Sequence, residues 1–268
     1  MFNNKYFNLG TYIRKAKSIY AGLCYKIGLK VIVVTEIDNI KISFETRSIL
    51  EYGLRAQRSY SRELVTMYWL RNCVSPNDVV YDIGANVGAY SLYAGNLVRN
   101  GQGKVYSFEP SYENYYSLCR NIDQNKLSGI VIPYPIALSN SLKGGMFYLQ
   151  SQEPGSALHG LNEPISEGKS FHAAFIQGAF SISLDELVSD SQILFPNHIK
   201  IDVDGSEREI VAGMKSILTD NRLSSIMIEI NEELGQGLID DRIIESGFTE
   251  VKTEQWPGKL TFNKLFCR

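Results

Sequence analysis

Hydrophobic and polar positions change their period along the chain, and the changes mark out its elements. Residues 11–28 repeat Tyr12, Ile13, Ile19, Leu23 and Ile27 among Arg14, Lys15, Lys17 and Lys26, the pattern of an amphipathic helix with a basic face. Residues 30–35 and 40–45 alternate about Asp38-Asn39, which predicts a β-hairpin. Residues 61–72 return to helical spacing, with Ser61 as N-cap and the turn Ser75-Pro76-Asn77-Asp78 beyond. After that, short β-branched runs at 79–83, 104–108, 130–134, 199–203 and 225–231 alternate with helical stretches from Ala89, over 112–126, over 207–218 and over 240–246. This alternation predicts an α/β domain: a mixed, Rossmann-like sheet with helices on both faces. Residues 144–149 read as an edge strand, 181–189 as a short strand and helix start with Asp185 capping or pairing, and 247–251 with 260–267 as a closing hairpin. Residues 150–178 are rich in Gly, Ser, Glu and Pro, a long loop able to fold over a ligand pocket. The chain therefore divides into a helix and hairpin extension over 1–60 and a main domain over 61–268.

Chemistry concentrates at the strand tips. The run from Val79 to Leu92 is a strand, a glycine turn and a helix, so the free N–H groups of the helix face whatever lies over the strand's carboxyl end. Asp82, Gly84, Asn86 and Gly88 form a D-x-G-x-N-x-G loop, which lacks the closely spaced G-x-G that accommodates a pyrophosphate. A nucleotide-dependent oxidoreductase is disfavoured for that reason. Glu109, at the tip of the second strand, is placed to accept hydrogen bonds from ribose hydroxyls. A ligand with ribose and no pyrophosphate suits this pair, and S-adenosylmethionine is the common cofactor of that kind. Ala137 and Ser139, after the third strand, would edge its adenine. In the fourth strand Lys200 and Asp202 share a face, and two charges inside a covered sheet are expensive unless paired or functional. Asp202 lies at the ligand-binding end, whereas His198 is about 13 Å back along the strand and is excluded as a base. Glu229, on the neighbouring strand, can approach either Lys200 or Asp202. Arg55, Arg58, Arg62 and Glu63 read as surface or helix-end pairs, with anion or substrate contact as the alternative.

In order, residues 80–92, Phe108-Glu109-Pro110, residues 136–139, residues 183–187, residues 200–205 and Ile228-Glu229-Ile230 resemble the motifs of the FkbM-type methyltransferase family. The resemblance covers a little over half the chain. It implies a class I methyltransferase fold that uses S-adenosylmethionine, usually to methylate a hydroxyl of a sugar or another natural product. The family pattern generally has Glu where this chain has Asp204. Methyl transfer to a hydroxyl needs donor and acceptor held at near-attack distance and a base for the proton. Asp202 is the first candidate and His159, from the long loop, the second, with Lys200 steadying the developing oxyanion or neutralising a carboxylate. Asp202, Asp204 and Glu229 could offer oxygen ligands to Mg²⁺, but carboxylates are common at strand tips without metal, and none is expected. The alternative from another class is a cofactor-binding regulatory or scaffold protein without turnover.

Composition narrows the setting. With 268 residues, 44% hydrophobic and 21% charged, the chain can bury a core, and its net charge of -2 gives no reason to expect a nucleic-acid partner. Cys24, Cys73, Cys119 and Cys267 are scattered, as reduced thiols are. Residues 1–10 lack the apolar core of a signal peptide, and no run reaches the roughly 18 apolar residues of a membrane span. A cytoplasmic protein acting on a small molecule or glycan is expected, with oligomerisation open. The basic helix at 11–28 would pack on the body or a partner, or contact an anionic membrane surface.

Overall fold

A computed structural model describes residues 9–190, 193–235 and 237–268. The expectation for residues 1–8, and those for the side chains of Tyr12, Ile13, Arg14 and Lys15, lie outside what it describes. The central sheet has seven strands, β1 Val79–Ile83, β2 Lys104–Phe108, β3 Val131–Tyr134, β4 His198–Ile201, β5 Ser225–Asn231, β6 Thr249–Gln255 and β7 Thr261–Cys267. Their order is β6-β7-β5-β4-β1-β2-β3. β1 to β5 are parallel, and β7 enters antiparallel between β5 and β6. The winding reverses between β4 and β1, and ligands of open α/β sheets bind beyond the carboxyl ends of strands at such a reversal.

Strand alternation builds two core layers. Tyr81, Ile83, Ile199, Ile201, Ile226 and Ile228 join one, and Val80, Val105, Met227 and Leu265 join the other with Trp69, Leu92, Tyr93 and Leu118. The expected hairpin forms between Val31–Ile37 and Ile40–Thr46, turning on Asp38 and Asn39 at φ 52° and 63°. It packs on the helix Tyr112–Gln124, where Ser43 N–H donates to Asn125 and Glu45 N–H to Asn121. Ile42, Phe44, Ala56 and Tyr60 all enter the second core layer, so residues 42–60 share a core with the sheet.

Several local expectations change. Ser61 is not an N-cap: it closes the helix Gln57–Arg62, and the chain breaks at Glu63 (φ −110°, ψ 80°) before the helix Leu64–Cys73. Lys143–Leu149 is not an edge strand but an inner strand of a separate four-stranded sheet, flanked by Phe175–Ile182 and Gly160–Leu161. Ala137–Leu138 completes that sheet, so the presumed long loop is largely two β excursions. Asp185 is a cap for another helix, accepting from the N–H groups of Ser216 and Ile217 in Lys215–Thr219. His198 is buried at the far end of β4, bonded to Ser225 and Asp78.

Candidate active site

At the carboxyl ends of β1, β2 and β4 lies a cleft, the place where ligands of such sheets bind. Gly84 has φ 80°, and a Cβ there would fall 1.8 Å from the backbone carbonyl oxygen of Asp202. The bare backbone thus lets the tips of β1 and β4 touch. Gly88, at φ 90°, gives way to Leu118 of the neighbouring helix and starts the helix Ala89–Val98. It shapes the loop without lining the cleft. Asn86 does line it, held at φ 51°. Its N–H donates to Glu109 Oε2 at 2.8 Å, and the Ser111 N–H donates to Glu109 Oε1 at 2.9 Å. A carboxylate offers about four lone-pair sites, so Glu109 keeps capacity for hydroxyl donors in the cleft. Burial raises its pKa to about 7 against those two backbone bonds.

The apolar side of the cleft is Phe108, Ile136, Ala137, Leu138 and Phe147. Ser139 lies outside, with its N–H on the Ile182 carbonyl and its own carbonyl against Gly213. The opposite wall is the start of the 150–178 excursion. Asn86 and Asn114 side-chain amides both donate to the Ser156 carbonyl (2.7 and 3.0 Å), and Arg55 Nε donates to that of Gly155 (2.9 Å). Leu158 N–H closes the end by donating to Asp204 Oδ2 at 2.8 Å. His159 faces this cleft, but its Nδ1 accepts from the Gln150 N–H, and burial with the nearby Arg55 charge lowers its pKa to about 4. So weak an acceptor is a poor base at neutral pH.

Asp82 is not in the cleft. It is the cross-strand register partner of Lys200, so both side chains emerge on the same sheet face, beneath the Tyr90 ring. Asp82 accepts from Ser91 Oγ at 2.5 Å and lies 3.8 Å from Lys200 Nζ. Lys200 is buried as well, and donates to Asp202 Oδ2 at 2.9 Å. Burial alone would lower the Lys200 pKa, but the carboxylates of Asp202, Asp82 and Glu63 raise it. Asp202 reaches the cleft, and its Oδ1 has no hydrogen-bond partner among the described residues.

Further carboxylates crowd this end of the sheet. Burial and the Asp202 charge raise Glu63 to about 7 and Asp204 to about 6. Glu229 is raised by burial and by Asp202 and Asp204, while Trp256 Nε1 donates to it at 2.8 Å. Arg62 stacks over the same indole, 4.9 Å from its centroid. Among the described residues no group of three His, Cys, Asp or Glu side chains is arranged to hold a metal ion.

The profile of the methyltransferase FkbM domain matches residues 82–245. The chain belongs to that family. It is similar to the hexuronic acid methyltransferase AglP of Haloferax volcanii, with 26% identity over 262 residues and 96% of each chain covered. It is also similar to the 31-O-demethyl-FK506 methyltransferase FkbM of Streptomyces tacrolimicus, with 26% identity over 224 residues, 75% of this chain and 85% of that one. Among solved structures, methyltransferase FkbM from Methylobacillus flagellatus aligns with TM-score 0.51 and 13% identity, over 73% of this chain and 44% of that one. This chain thus spans less than half of that solved relative. The 16S rRNA methyltransferase RsmC of T. thermophilus, solved with AdoMet and guanosine, aligns with TM-score 0.50 and 13% identity, over 90% of this chain and 51% of that one. The fold is that of the class I methyltransferases, and S-adenosylmethionine is the cofactor.

The cleft fits that cofactor. Glu109 is open to ribose hydroxyls, the apolar wall suits adenine, and the carboxylate-rich end suits a sulfonium cation. Of the residues expected from sequence, Gly84, Asn86, Glu109, Ala137, His159 and Asp202 line the cleft, whereas Asp82, Gly88, Ser139 and Lys200 do not. Sequence reasoning missed Asn114, which with Arg55 fastens the wall, and Trp256, which with Glu63 joins the carboxylate cluster; Arg55 and Glu63 were read chiefly as surface pairs. Glu63 gave one signal, a lone acid next to Arg62 and before an apolar run; Trp256 gave none in its local pattern.

Proposed function

We propose that this methyltransferase transfers a methyl group to a hydroxyl oxygen of a sugar, glycan or related natural product, with Asp202 as the base. When bound, S-adenosylmethionine supplies an activated methyl on a positively charged sulfur. Glu109 holds the ribose, Asn86 and the helix N-terminus orient the amino-acid end, and the wall at residues 155–161 keeps water out. Lys200 fixes Asp202 through Oδ2 and leaves Oδ1 to receive the acceptor proton. The observation that carries this reading is a cleft-lining aspartate whose carboxylate is anchored on one oxygen by a buried lysine and has no hydrogen-bond partner for the other among the described residues. A neutral hydroxyl also suits the site better than an acceptor carboxylate, since burial and the Asp202 charge already raise the pKa values of Glu63, Asp204 and Glu229. The names of the Haloferax and Streptomyces relatives, with a hexuronic acid and 31-O-demethyl-FK506 as what they methylate, support a sugar or natural-product acceptor.

Two measurements test it. Calorimetry with S-adenosylmethionine, S-adenosylhomocysteine and NADH should give binding of the first two only, weakened about 10- to 100-fold by Glu109→Ala, as loss of hydrogen bonds to a charged group predicts. Incubation with methyl glucoside and methyl glucuronoside should give a methyl ether that survives mild alkali. An alkali-labile ester would move the acceptor atom to a carboxylate and end the hydroxyl reading; cofactor binding without transfer to any acceptor would favour the scaffold alternative.

A further inference from the structure

Over its described side chains, from Ala16 on, the N-terminal helix Leu9–Lys26 sits on the body the wrong way round for an ordinary amphipathic helix. A helix packed on its own domain turns its large apolar residues inward. Here the small residues Ala21 and Cys24 are buried, Gly22 rests on Ile49, and Tyr25 bonds Thr46, while Ile19 (59%), Leu23 (58%) and Ile27 (74%) stay exposed. Tyr20 and Leu29 add to the exposed apolar set, and so do Ile32 and Val34 on the outer face of the following strand. This face is apolar, and the segment that carries it is strongly basic. Residues 1–35 contain six Lys and Arg and no Asp or Glu, a charge of +6; the remaining 21 basic and 29 acidic residues give the rest of the chain -8.

We infer that this face is a docking surface for an anionic lipid bilayer, with the apolar side chains entering the headgroup boundary and the lysines meeting lipid phosphates. The charge distribution selects this occupant. A second copy of the chain would bring two segments of +6 together, whereas an anionic surface attracts the segment while repelling the acidic remainder, which fixes orientation. Orientation matters for the site, because the helix packs on Glu51–Ala56, the segment that carries Arg55 into the cleft. Docking through the helix therefore holds the cleft close to the bilayer. No helix among the described residues is long and apolar enough to cross a membrane, so the contact is peripheral.

The test uses the full chain and vesicles of phosphatidylcholine alone or mixed with phosphatidylglycerol. The wild type should co-sediment with the mixed vesicles at least about tenfold more than with the neutral ones, and salt that shortens the Debye length from about 10 to about 3 Å should reverse it. Leu23→Ser with Ile27→Ser, and separately Lys17→Glu with Lys26→Glu, should each lose about tenfold in binding, with thermal midpoint and S-adenosylmethionine affinity unchanged. These controls also separate a failure here from a failure of the methyl-transfer reading, which vesicle binding does not report. Equal binding by variants and wild type, or no binding to the anionic vesicles, overturns the proposal. A wild-type dimer that Leu23→Ser with Ile27→Ser dissolves would also overturn it and give the face to a second copy.

Discussion

Asp202 and Lys200 are neighbours in sequence with opposite tasks. Asp202 ends at the cleft, and Lys200 is buried beneath it among Asp82, Glu63 and the Tyr90 ring. Asp202→Asn should therefore lower kcat by about 10²- to 10⁴-fold, the usual contribution of a base, and leave cofactor affinity near the wild-type value. Lost affinity with kcat kept would make Asp202 a binding residue. Lys200→Met should act through stability instead. It strips a buried counter-ion from several carboxylates, and breaking a buried pair costs about 3–5 kcal/mol, to be read from urea midpoints. Unchanged stability would mean that the carboxylates take up protons in its place. At this scale the sequence pointed to the cleft where a charge directly follows a covered strand, as Asp202 follows β4 and Glu109 follows β2. It misled at Asp82 because a strand-tip acid can turn to either face, and only the register with Lys200 decides which. Glu63 and Trp256 were hidden because they enter the site from helix and hairpin elements distant in sequence.

Among the elements, the β1 turn carries the most geometry in the fewest residues. Gly84 lets the tips of β1 and β4 meet, so Gly84→Ala places a methyl on the Asp202 backbone in addition to a left-handed φ. Strain at such a φ alone costs about 1–3 kcal/mol. The thermal midpoint should fall, and because the displaced residue is Asp202, kcat should fall further than cofactor affinity; a variant with wild-type turnover would show that the tips can separate without harm. The central strands and their helices were legible because each strand is a short run rich in β-branched or aromatic residues and the helices between them repeat at their own period. Of the second sheet only the strand at Lys143–Leu149 was legible, and not its inner position. Ala137–Leu138, Gly160–Leu161 and the glycine-bearing Phe175–Ile182 are short or broken by glycine, and pairing between distant segments, which no local pattern encodes, holds the sheet together. The N-terminal helix was legible as a helix, but the side it turns to the body was not, because the small Ala21 and Cys24 are buried there while Ile19 and Leu23 stay exposed.

Across the whole molecule, the carboxylates gathered at one end of the sheet make both stability and cofactor binding depend on pH. Glu109 and Glu63 are raised to about 7 and Asp204 to about 6, each chiefly by burial. Ordinary carboxyl values near 4 apply once the chain unfolds. Between about pH 4 and 7 the folded state consequently holds more protons than the unfolded one, so the free energy of unfolding falls as pH rises through that window. The cofactor-free protein should show its thermal midpoint declining toward neutral pH, by roughly 2–4 °C for each kcal/mol lost. Binding runs in the opposite sense. In the proposed arrangement ribose hydroxyls donate to the ionised form of Glu109 and a sulfonium cation favours ionised carboxylates, so S-adenosylmethionine should lower these pKa values and expel protons. Its affinity should rise with pH up to about 7 and then level off. Calorimetry near pH 6.5 in two buffers of different ionisation heat should register proton release, reduced in Glu109→Gln and absent near pH 8.5, where the carboxylates are already ionised. Proton uptake near pH 6.5 would mean that the cofactor meets Glu109 in its neutral form and that the ribose lies elsewhere in the cleft.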